Sequence, residues 1–394
     1  MKLNLTALGI VNALGADAGT VAARLFHPIE GPWWQAGALT PRTDIVPGAT
    51  LWVGAVADAL PEVPAALHNY ACRNNQLALA ALLQMEAPIA AAINRYGAER
   101  IAVILGTSTS GMAEGEAGLK ARQRDGVWPN GFAYSQQEPG NLALFVADLL
   151  ALRGPAYTVH TACSSSGKAI ASAQRLIRAG LCDAAIVGGA DSLCGTTLHG
   201  FFALEALSQR PLNAFSANRD GTCIGEGAAL FLLEPAPGPV ALLGVGESSD
   251  AHHISAPEPE GRGARAAMNA ALLAAGLAAD AVGYVNLHGT GTKLNDAMEG
   301  RAVTAIFGAD TPCSATKVLT GHTLGAAAAT EAAFCWMALQ RGLLPPHLWD
   351  GVAADDIPPL RLAMPGEELR GPRTMLSASY AFGGSNLALL LGAA

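Results

Sequence analysis

A cysteine in a run of small residues is the first candidate for chemistry. Cys163 lies within residues 161–167, TACSSSG, between a strand predicted over 156–159 and a helix predicted over 168–180. A tight strand-to-helix turn would expose the thiol to the positive end of the helix dipole, which lowers the pKa of a thiol and favours the nucleophilic thiolate. The alternative is a buried structural cysteine, since free cysteines are commonly buried. The loops that come later in the chain favour the nucleophile.

Two histidines and a lysine follow, each at the predicted end of a strand or start of a helix. His288 comes directly after a strand predicted over 282–287, and the next residues, GTGT, supply hydroxyls that can bind a ligand at the carboxyl end of the strand. Lys317 and His322 precede an apolar helix predicted over 323–339. The dipole of that helix disfavours the imidazolium form of His322, and a neutral imidazole can donate a hydrogen bond to a developing oxyanion. The alternative for either histidine is a structural role.

A glycine-rich loop near the end of the chain completes the set. Residues 379–386 read SYAFGGSN, and the paired glycines let backbone amides approach a substrate oxygen closely beside the bulky Phe382. A thiolate that accepts an acyl group and two imidazoles that stabilise an enolate would together form a carbon–carbon bond. A cysteine protease is the rival arrangement, but it explains neither the second histidine nor the lysine.

Composition excludes several classes of protein. The chain has 394 residues and a net charge of -8, which argues against nucleic acid as the main partner. Its seven cysteines include no CxxC pair, so that neither a disulfide framework nor a metal site is predicted. No apolar run is long enough to span a membrane and the N-terminus lacks a signal-peptide pattern, which favours the cytoplasm. With 51% hydrophobic and 14% charged residues, the chain suits a compact enzyme that buries further surface in an oligomer.

Strands and helices alternate along the chain, which predicts an α/β fold with mixed, mostly parallel sheets covered by helices on both faces. Two similar passes suggest two related halves, residues 1–235 with the cysteine and 236–394 with the two histidines. A proline-rich segment, 235–239, is the candidate linker. Within the first half, 78–96 is predicted as one long helix and 28–64 as irregular structure.

Four motifs closely resemble those of one family. They are TACS around Cys163, HGTGT from His288, a lysine followed by GH at Lys317 and His322, and RDG from Arg219. On these motifs the chain resembles, nearly end to end, the elongating β-ketoacyl-acyl-carrier-protein synthases of the thiolase-like superfamily. The resemblance implies a thiolase-like fold with layers in the order α-β-α-β-α. Initiating synthases with a Cys-His-Asn site are disfavoured by the GH match, and thiolases by the lack of a second cysteine in the closing loop.

The resemblance also implies roles for the site residues. Cys163 would take an acyl chain from the phosphopantetheine of an acyl carrier protein, with no other cofactor, while the amides of Cys163 and Phe382 form an oxyanion hole and Phe382 acts as a gate. His288 and His322 would stabilise the enolate that forms when malonyl carrier protein loses carbon dioxide. Further positions match a supporting network (Lys317, Glu331, Asp296, Glu299 and Asn386) and pantetheine contacts (Thr290 and Thr292). The candidates for the acyl pocket are Thr109, Phe201 and Phe202. Thr109 departs from the family, which usually carries a bulky aliphatic residue in this loop, so that the pocket would accept a longer, stiffer or more polar chain. For Asp296 and Glu299, a solvated helix face is the alternative.

Some positions depart from the family pattern and bear on partners. Glu205 replaces an arginine that often meets the acidic carrier protein, so that docking would fall to other basic residues, namely Lys120, Arg122, Arg124 or Arg73. The alternative is that these four residues are ordinary surface charges. Residues 293–299, KLNDAME, look more similar to ketosynthases of aryl-polyene and type II polyketide clusters. The partner chain would be a second copy or a ketosynthase-like chain-length factor. A noncatalytic subunit, an acyltransferase and a thioesterase are the alternatives, and retention of the cysteine and both histidines disfavours them.

Overall fold

The protein, seen in a computed structural model that describes residues 1–27 and 31–394, is built from alternating strands and helices. The strands are β1 (Leu3–Asn12), β2 (Thr40–Arg42), β3 (Leu51–Gly54), β4 (Ile101–Gly106), β5 (Ala156–Val159), β6 (Ala184–Asp191), β7 (Ile224–Gly225), β8 (Gly227–Glu234), β9 (Val240–Ser249), β10 (Tyr284–Leu287), β11 (Pro312–Ala315), β12 (Arg361–Leu362), β13 (Thr374–Ala381) and β14 (Ser385–Ala393). The α-helices are α1 (Ala18–Phe26), α2 (Arg73–Leu83), α3 (Glu86–Tyr96), α4 (Met112–Asp125), α5 (Asn141–Leu149), α6 (Ser165–Arg178), α7 (Gly195–Ala203), α8 (Arg262–Ala275), α9 (Lys293–Phe307), α10 (Lys317–Thr320) and α11 (Ala327–Arg341).

Eleven of these strands form one mixed sheet in the order β12-β11-β10-β13-β14-β9-β1-β8-β6-β4-β5. The two halves of the chain follow the same plan, in which three parallel strands are followed by two strands that are each antiparallel to their neighbour. These are β5-β4-β6 and then β8-β1 in the first half, and β11-β10-β13 and then β14-β9 in the second. The halves join where β1 pairs antiparallel with β9, with Leu3 opposite Leu242. The repeated plan agrees with two related halves, while the boundary at 235 stays a prediction.

The proportion of antiparallel pairing is larger than the sequence pattern indicates. The sheet has five parallel pairs of strands and five antiparallel ones. The tight link between β13 and β14 shows why, since a connection of so few residues can join only antiparallel strands. That link carries Phe382.

Helices fill the space between the two sets of strands and cover their outer faces. α6 packs on β4, β6 and β14, while α11 packs on β13, β14 and β8, so that both helices contact the two halves of the chain. α2 and α5 cover the outer face of the first set, and α8 covers that of the second. These layers have the order α-β-α-β-α expected for the thiolase-like fold. Gly167 lets α6 approach β14 closely, because a Cβ at this position would lie 1.9 Å from the side chain of Leu387.

The prediction of one long helix over 78–96 is wrong. The segment is divided between α2 and α3, which meet at an angle of 77°. The side chain of Gln84 lies at the break and accepts hydrogen bonds from the backbone N–H groups of Ile10 (3.3 Å) and Ala18 (3.0 Å). Pro88 lies in the first turn of α3, where no N–H donor is needed, whereas it would interrupt a continuous helix.

Two other predicted segments differ in detail. Within 28–64, the described residues contain β2 and β3, which form a second sheet with β7, and residues 28–30 lie outside the described chain. The helix predicted over 323–339 begins instead at Ala327, after α10 and a turn in which Leu324 has a φ of 52°. No single helix in the described part of the chain has both the length and the apolar composition to cross a membrane.

Candidate active site

Cys163 lies in a turn that its neighbours hold in place between β5 and α6. The Ser165 hydroxyl donates to the backbone oxygen of Ala162 (2.6 Å) and accepts from the backbone N–H of Thr161 (2.9 Å). Ala162 has a φ of 51°, a left-handed conformation that a residue with a side chain keeps only when its surroundings determine it. The first turn of α6 begins at Ser165, three residues earlier than predicted, so that Cys163 stands close to the N-terminus of this helix.

The sulfur of Cys163 faces His322 inside the protein. Its Sγ lies 3.0 Å from His322 Nε2, and both residues are buried. Burial raises the pKa of the Cys163 thiol to about 11, while Lys317 and the backbone N–H groups of Phe382 and Cys163 act in the opposite direction. The prediction that the helix dipole lowers this pKa is therefore wrong for the free protein, because the loss of hydration outweighs it. The two N–H groups are directed at the sulfur, beside which an acyl oxygen would lie during attack.

The two predicted histidines lie together beside this sulfur. The ring centroids of His288 and His322 are 5.3 Å apart with the planes at 86°, and one polar atom of each ring and the Cys163 sulfur all lie within 4.8 Å of one another. Burial holds the pKa of both imidazoles well below its usual value, and the charge of Lys317 acts in the same direction. Both rings are therefore neutral. From the sequence, a helix dipole is the predicted cause of the neutrality of His322. In the structure α11 begins five residues later, and burial is the larger cause of the lowered pKa.

Lys317 fixes the tautomer of His288. Its Nζ lies 3.3 Å from His288 Nδ1, and it also donates to the backbone oxygen of His288 and to Glu331 Oε1. An ammonium group can only donate, so Nδ1 of the ring is an acceptor and the ring proton is on Nε2. Burial raises the pKa of Glu331 to about 7, and Lys317 opposes this rise. The buried ion pair of Lys317 and Glu331 thus supports the orientation and protonation of His288.

The two acidic residues on α9 hold the loop that carries His288. Glu299 accepts hydrogen bonds from the backbone N–H groups of His288 (2.6 Å) and Gly289 (2.8 Å). Asp296 accepts from those of Gly291 (3.2 Å) and of Phe215 in a neighbouring segment (2.8 Å). Both carboxyl groups are buried, and burial raises the pKa of Glu299 to about 8 and that of Asp296 to about 6, against the opposing effect of these N–H donors. The alternative of a solvated helix face is therefore wrong.

A cavity of about 520 Å³ opens onto Cys163 and the two histidines. Its wall includes Thr290 and Thr292, whose hydroxyl oxygens lie 3.0 Å apart. The Phe382 ring also lines it, is 37% exposed and stacks on Phe201 with the ring centroids 5.5 Å apart. The structure thus places Phe382, the predicted gate, in the wall of the cavity that opens onto Cys163.

Contacts from the segment after β9 hold the Phe382 loop in its present position. Asn386 donates to Asp250 Oδ1 (2.7 Å), and the N–H of Gly383 donates to the backbone oxygen of Ile254 (2.7 Å). The sequence reasoning missed Asp250 and Ile254, because neither belongs to a local motif. The one available signal was the position of Asp250 at the carboxyl end of a strand.

Two of the predicted acyl-pocket residues lie away from this cavity. The buried Thr109 hydroxyl donates to Asp191 Oδ1 (2.7 Å), and neither Thr109 nor Phe202 lines the cavity wall. Asp191 also accepts from the backbone N–H of Ser108 (2.7 Å) and that of Ala326 (3.0 Å), so that it connects the loop after β4 with the turn before α11. A carboxylate at the end of a buried strand was the signal for Asp191 that the sequence reasoning passed over.

The basic residues predicted for carrier docking are also outside the cavity wall. Most of them already have partners in the protein: Arg73 pairs with Glu226, Arg124 pairs with Asp125, and Arg122 lies over the Trp128 ring. Lys120 lies on α4 and is exposed. The structure thus does not bring these residues to the entrance of the site.

Cys163, His288 and His322 are residue types that also bind metal ions, and they are close enough to share one. The ammonium of Lys317, 3.3 Å from His288 Nδ1, places a positive charge next to that position. A divalent cation would be repelled there. The donor set therefore suits an uncharged substrate oxygen that develops negative charge better than it suits a metal ion.

A thiol directed at two neutral imidazoles, on a five-layered thiolase-like fold, defines the class of condensing enzymes that work through an acylated cysteine. Comparison with known proteins agrees with this class. Residues 72–237 match the family model described as "Beta-ketoacyl synthase, N-terminal domain", and 240–349 match "Beta-ketoacyl synthase, C-terminal domain". The chain belongs to the β-ketoacyl synthase family.

Several relatives and solved structures resemble the chain over most of its length. It is 35% identical to nodulation protein E of Rhizobium meliloti over 355 residues, which cover 86% of this chain and 87% of that protein. It is 37% identical to 3-oxoacyl-[acyl-carrier-protein] synthase 2 of Rhizobium meliloti (strain 1021) over 260 residues, 61% of each chain. Among solved structures, it is 47% identical to the ketosynthase ApeO of Xenorhabdus doucetiae, in complex with its chain length factor ApeC, with a TM-score of 0.94 over 100% of this chain and 98% of that chain. A β-ketoacyl synthase of Burkholderia phymatum STM815 is 27% identical, with a TM-score of 0.86 over 100% of this chain and 99% of that chain.

Proposed function

We propose that this β-ketoacyl synthase is the catalytic subunit of a heterodimer that extends a polyene or polyketide chain carried on acyl carrier protein. The observation that carries the proposal is the buried group of one thiol and two neutral imidazoles, whose polar atoms lie within 4.8 Å of one another. A hydrolase needs one such histidine, whereas a condensation needs two donors for an enolate oxygen. The proposed reaction uses no resident metal or organic cofactor, because the phosphopantetheine arrives with the substrate.

Loading begins with attack of the Cys163 sulfur on the thioester carbonyl of the acyl donor. His322 Nε2, 3.0 Å from Sγ, takes the thiol proton and returns it to the departing pantetheine sulfur. The N–H groups of Cys163 and Phe382 donate to the oxyanion of the tetrahedral intermediate, a type of contact whose loss typically slows a reaction by about 10²–10³-fold. The bond to the pantetheine sulfur breaks and the acyl group remains on Cys163. Because burial raises the pKa of the thiol and lowers that of His322, the proton moves to His322 together with the attack of the sulfur on the carbonyl and not before it.

Condensation begins when a malonyl thioester loses carbon dioxide and the bonding electrons form an enolate. The Nε2–H of His288 donates a hydrogen bond to the enolate oxygen. His322 donates a second one in the tautomer that carries its ring proton on Nε2. The enolate carbon then attacks the acyl carbonyl on Cys163, a carbon–carbon bond forms, and the bond to the Cys163 sulfur breaks. The thiolate takes up a proton, and a 3-oxoacyl thioester leaves on the carrier protein.

A strand edge and the similarity to ApeO support a partner subunit. β5 is the last strand of the sheet on the side of the nucleophile, and Tyr157 on it is 37% exposed. An edge strand of this kind readily pairs with a strand of another chain. ApeO, 47% identical to this chain, was solved in complex with a chain length factor, which favours a heterodimer over a homodimer here. A cytoplasmic location is part of the proposal, because the seven cysteines are all free thiols.

Intact-mass spectrometry of the purified protein tests this function, alone and co-expressed with a chain-length-factor-like subunit. Acyl carrier protein bearing a series of chains should acylate Cys163, and malonyl carrier protein should then release an extended 3-oxoacyl carrier protein. Cys163→Ala should remove the adduct, whereas the matched control Cys194→Ser should keep it. His288→Ala should still load but should not extend. Release of free acid in place of an extended product would show a thioesterase. If the protein alone extends the chain as fast as the co-expressed pair does, the proposed heterodimer is rejected.

A further inference from the structure

Three large apolar side chains project into solvent around the entrance of the active-site cavity. They are Leu204 at the end of α7, Ile254 in the loop between β9 and α8, and Leu294 in the first turn of α9, with exposures of 60%, 81% and 64%. Leu204 and Leu294 line the cavity, and Ile254 directly precedes Ser255, which also lines it. We call these three residues the mouth ring. Exposed apolar residues that cluster at one opening indicate an interaction surface rather than scattered surface residues.

Two charges accompany the mouth ring and are available to a partner. Glu205 and Lys293 also line the cavity and are exposed, and neither forms an ion pair within residues 1–27 and 31–394. Two other acidic residues line the cavity and already have partners: Asp220 is paired with Arg210 (2.8 Å), and Asp250 accepts from Asn386 (2.7 Å). The entrance therefore presents one negative and one positive group among apolar side chains, and not a basic patch.

Backbone hydrogen bonds hold this surface in a fixed shape. Glu205 has a φ of 54°, and its N–H donates to the backbone oxygen of Phe202 (2.9 Å), which sets the direction of the turn after α7. The backbone oxygen of Lys293 accepts from Arg219 (3.3 Å), and that of Ile254 accepts from Gly383 (2.7 Å). Because little order must be gained on association, a surface of this kind can bind a partner with little loss of entropy.

We propose that the carrier protein docks on the mouth ring through apolar contacts, with a basic side chain opposite Glu205 and an acidic one opposite Lys293. This inference rests on the proposed function, since phosphopantetheine must pass through this entrance to reach Cys163. A carrier whose docking face is uniformly acidic meets Glu205 with like charge, and juxtaposed like charges suppress a partner. The proposed carrier therefore differs in its charge pattern from an ordinary acidic carrier protein.

Loading of Cys163 with one acyl group from two donors tests the apolar part of the inference. The donors are acyl-pantetheine and an acidic fatty-acid-type acyl carrier protein, and the measured quantity is the ratio of the two loading rates. Ile254→Asn should lower the ratio of carrier-borne to carrier-free loading about tenfold, the loss expected for a central interface residue. Leu273→Asn, a matched uncharged change at an 83% exposed leucine on α8, should leave the ratio unchanged. An unchanged ratio in Ile254→Asn would overturn the inference, as would a change of oligomeric state on size-exclusion chromatography, which would make the ring a subunit interface.

A charge exchange tests the electrostatic part. Each acidic residue around the phosphopantetheine-bearing serine of the carrier is changed to lysine in turn. At least one such carrier should load the wild-type protein about fivefold faster than the parent carrier does, and Glu205→Lys should abolish that preference, as expected for a direct charge pair. If no lysine carrier gains, the proposed charge pattern is wrong. Failure of acyl-pantetheine itself to load Cys163 would instead reject the proposed function.

Discussion

Substitutions in the buried ion pair of Lys317 and Glu331 should change the stability of the protein and its rate of condensation to different extents. Removing one partner of such a pair typically costs about 3–5 kcal/mol, because the other charge is left buried without compensation. With roughly 2.1 cal/mol/K of unfolding entropy per residue, the 394-residue chain has about 0.8 kcal/mol/K, so that the loss corresponds to a fall in Tm of about 4–6 °C. We expect this fall for Glu331→Met, which leaves the ammonium of Lys317 without its anion.

Lys317→Met and the double variant Lys317→Met/Glu331→Met, which complete a double-mutant cycle, should behave differently from Glu331→Met. Without Lys317, the pKa of Glu331 should rise above its value of about 7, because Lys317 opposes the effect of burial. The carboxyl group is then neutral at pH 7, and Lys317→Met should lose less stability than Glu331→Met. The double variant has no buried charge at this position, and it should return close to the Tm of the wild type. Differential scanning fluorimetry at pH 7 measures all four proteins.

Activity should not return with stability. In the double variant His288 Nδ1 has lost its donor, so that the proton is no longer held on Nε2. We expect condensation to slow by about 10- to 1000-fold, the upper value being that for one lost oxyanion donor. Cys163 is acylated before malonyl carrier protein is added, so that single-turnover product formation reports condensation alone. A double variant that is stable and condenses at the wild-type rate would refute the argument that Lys317 acts through the tautomer of His288.

Three further predictions follow from other parts of the site. Since burial raises the pKa of the Cys163 thiol to about 11, the rate of its alkylation by iodoacetamide should increase with pH through pH 9 without a plateau at pH 8. At each pH the rate should be lower in Lys317→Met, because Lys317 lowers the pKa of the thiol. A plateau near pH 8 would show a thiolate in the free protein. Gly106→Ala should lower the free energy of unfolding by about 1–3 kcal/mol and slow the loading of Cys163, because the added Cβ would lie 2.3 Å from the N atom of Ser166 at the start of α6. Gly140→Ala is the control, since no atom lies within 4 Å of its added Cβ. Equal urea midpoints for the two variants would contradict this prediction. Incubation with EDTA should leave loading and condensation unchanged, and a loss restored by added zinc would show that the Cys163 thiol and the imidazoles of His288 and His322 bind a metal.

The features of the fold that the sequence predicts are those with local causes. The turn at Cys163 follows from small residues between a strand and a helix, and the helix α6 was found to within three residues at its start. The division of 78–96 into two helices was missed, because the side chain that occupies the break, Gln84, bonds to Ile10, which is 74 residues away in the chain. Pro88 is the one local sign of the break, because a proline within a helix interrupts it.

The same distinction explains the errors at the site. Residue types and motifs placed Cys163, His288 and His322 in one reaction, although the contact of the sulfur with His322 joins residues that are 159 positions apart. Their protonation could not be derived in this way, since a local dipole favours the thiolate whereas burial by the whole fold opposes it. Thr109 shows the same limit, because its hydroxyl is held by Asp191, 82 residues later, and is therefore not free to line the cavity. A motif thus indicates candidate reacting groups, while the depth at which the two halves of the chain bury them determines the protonation state of each.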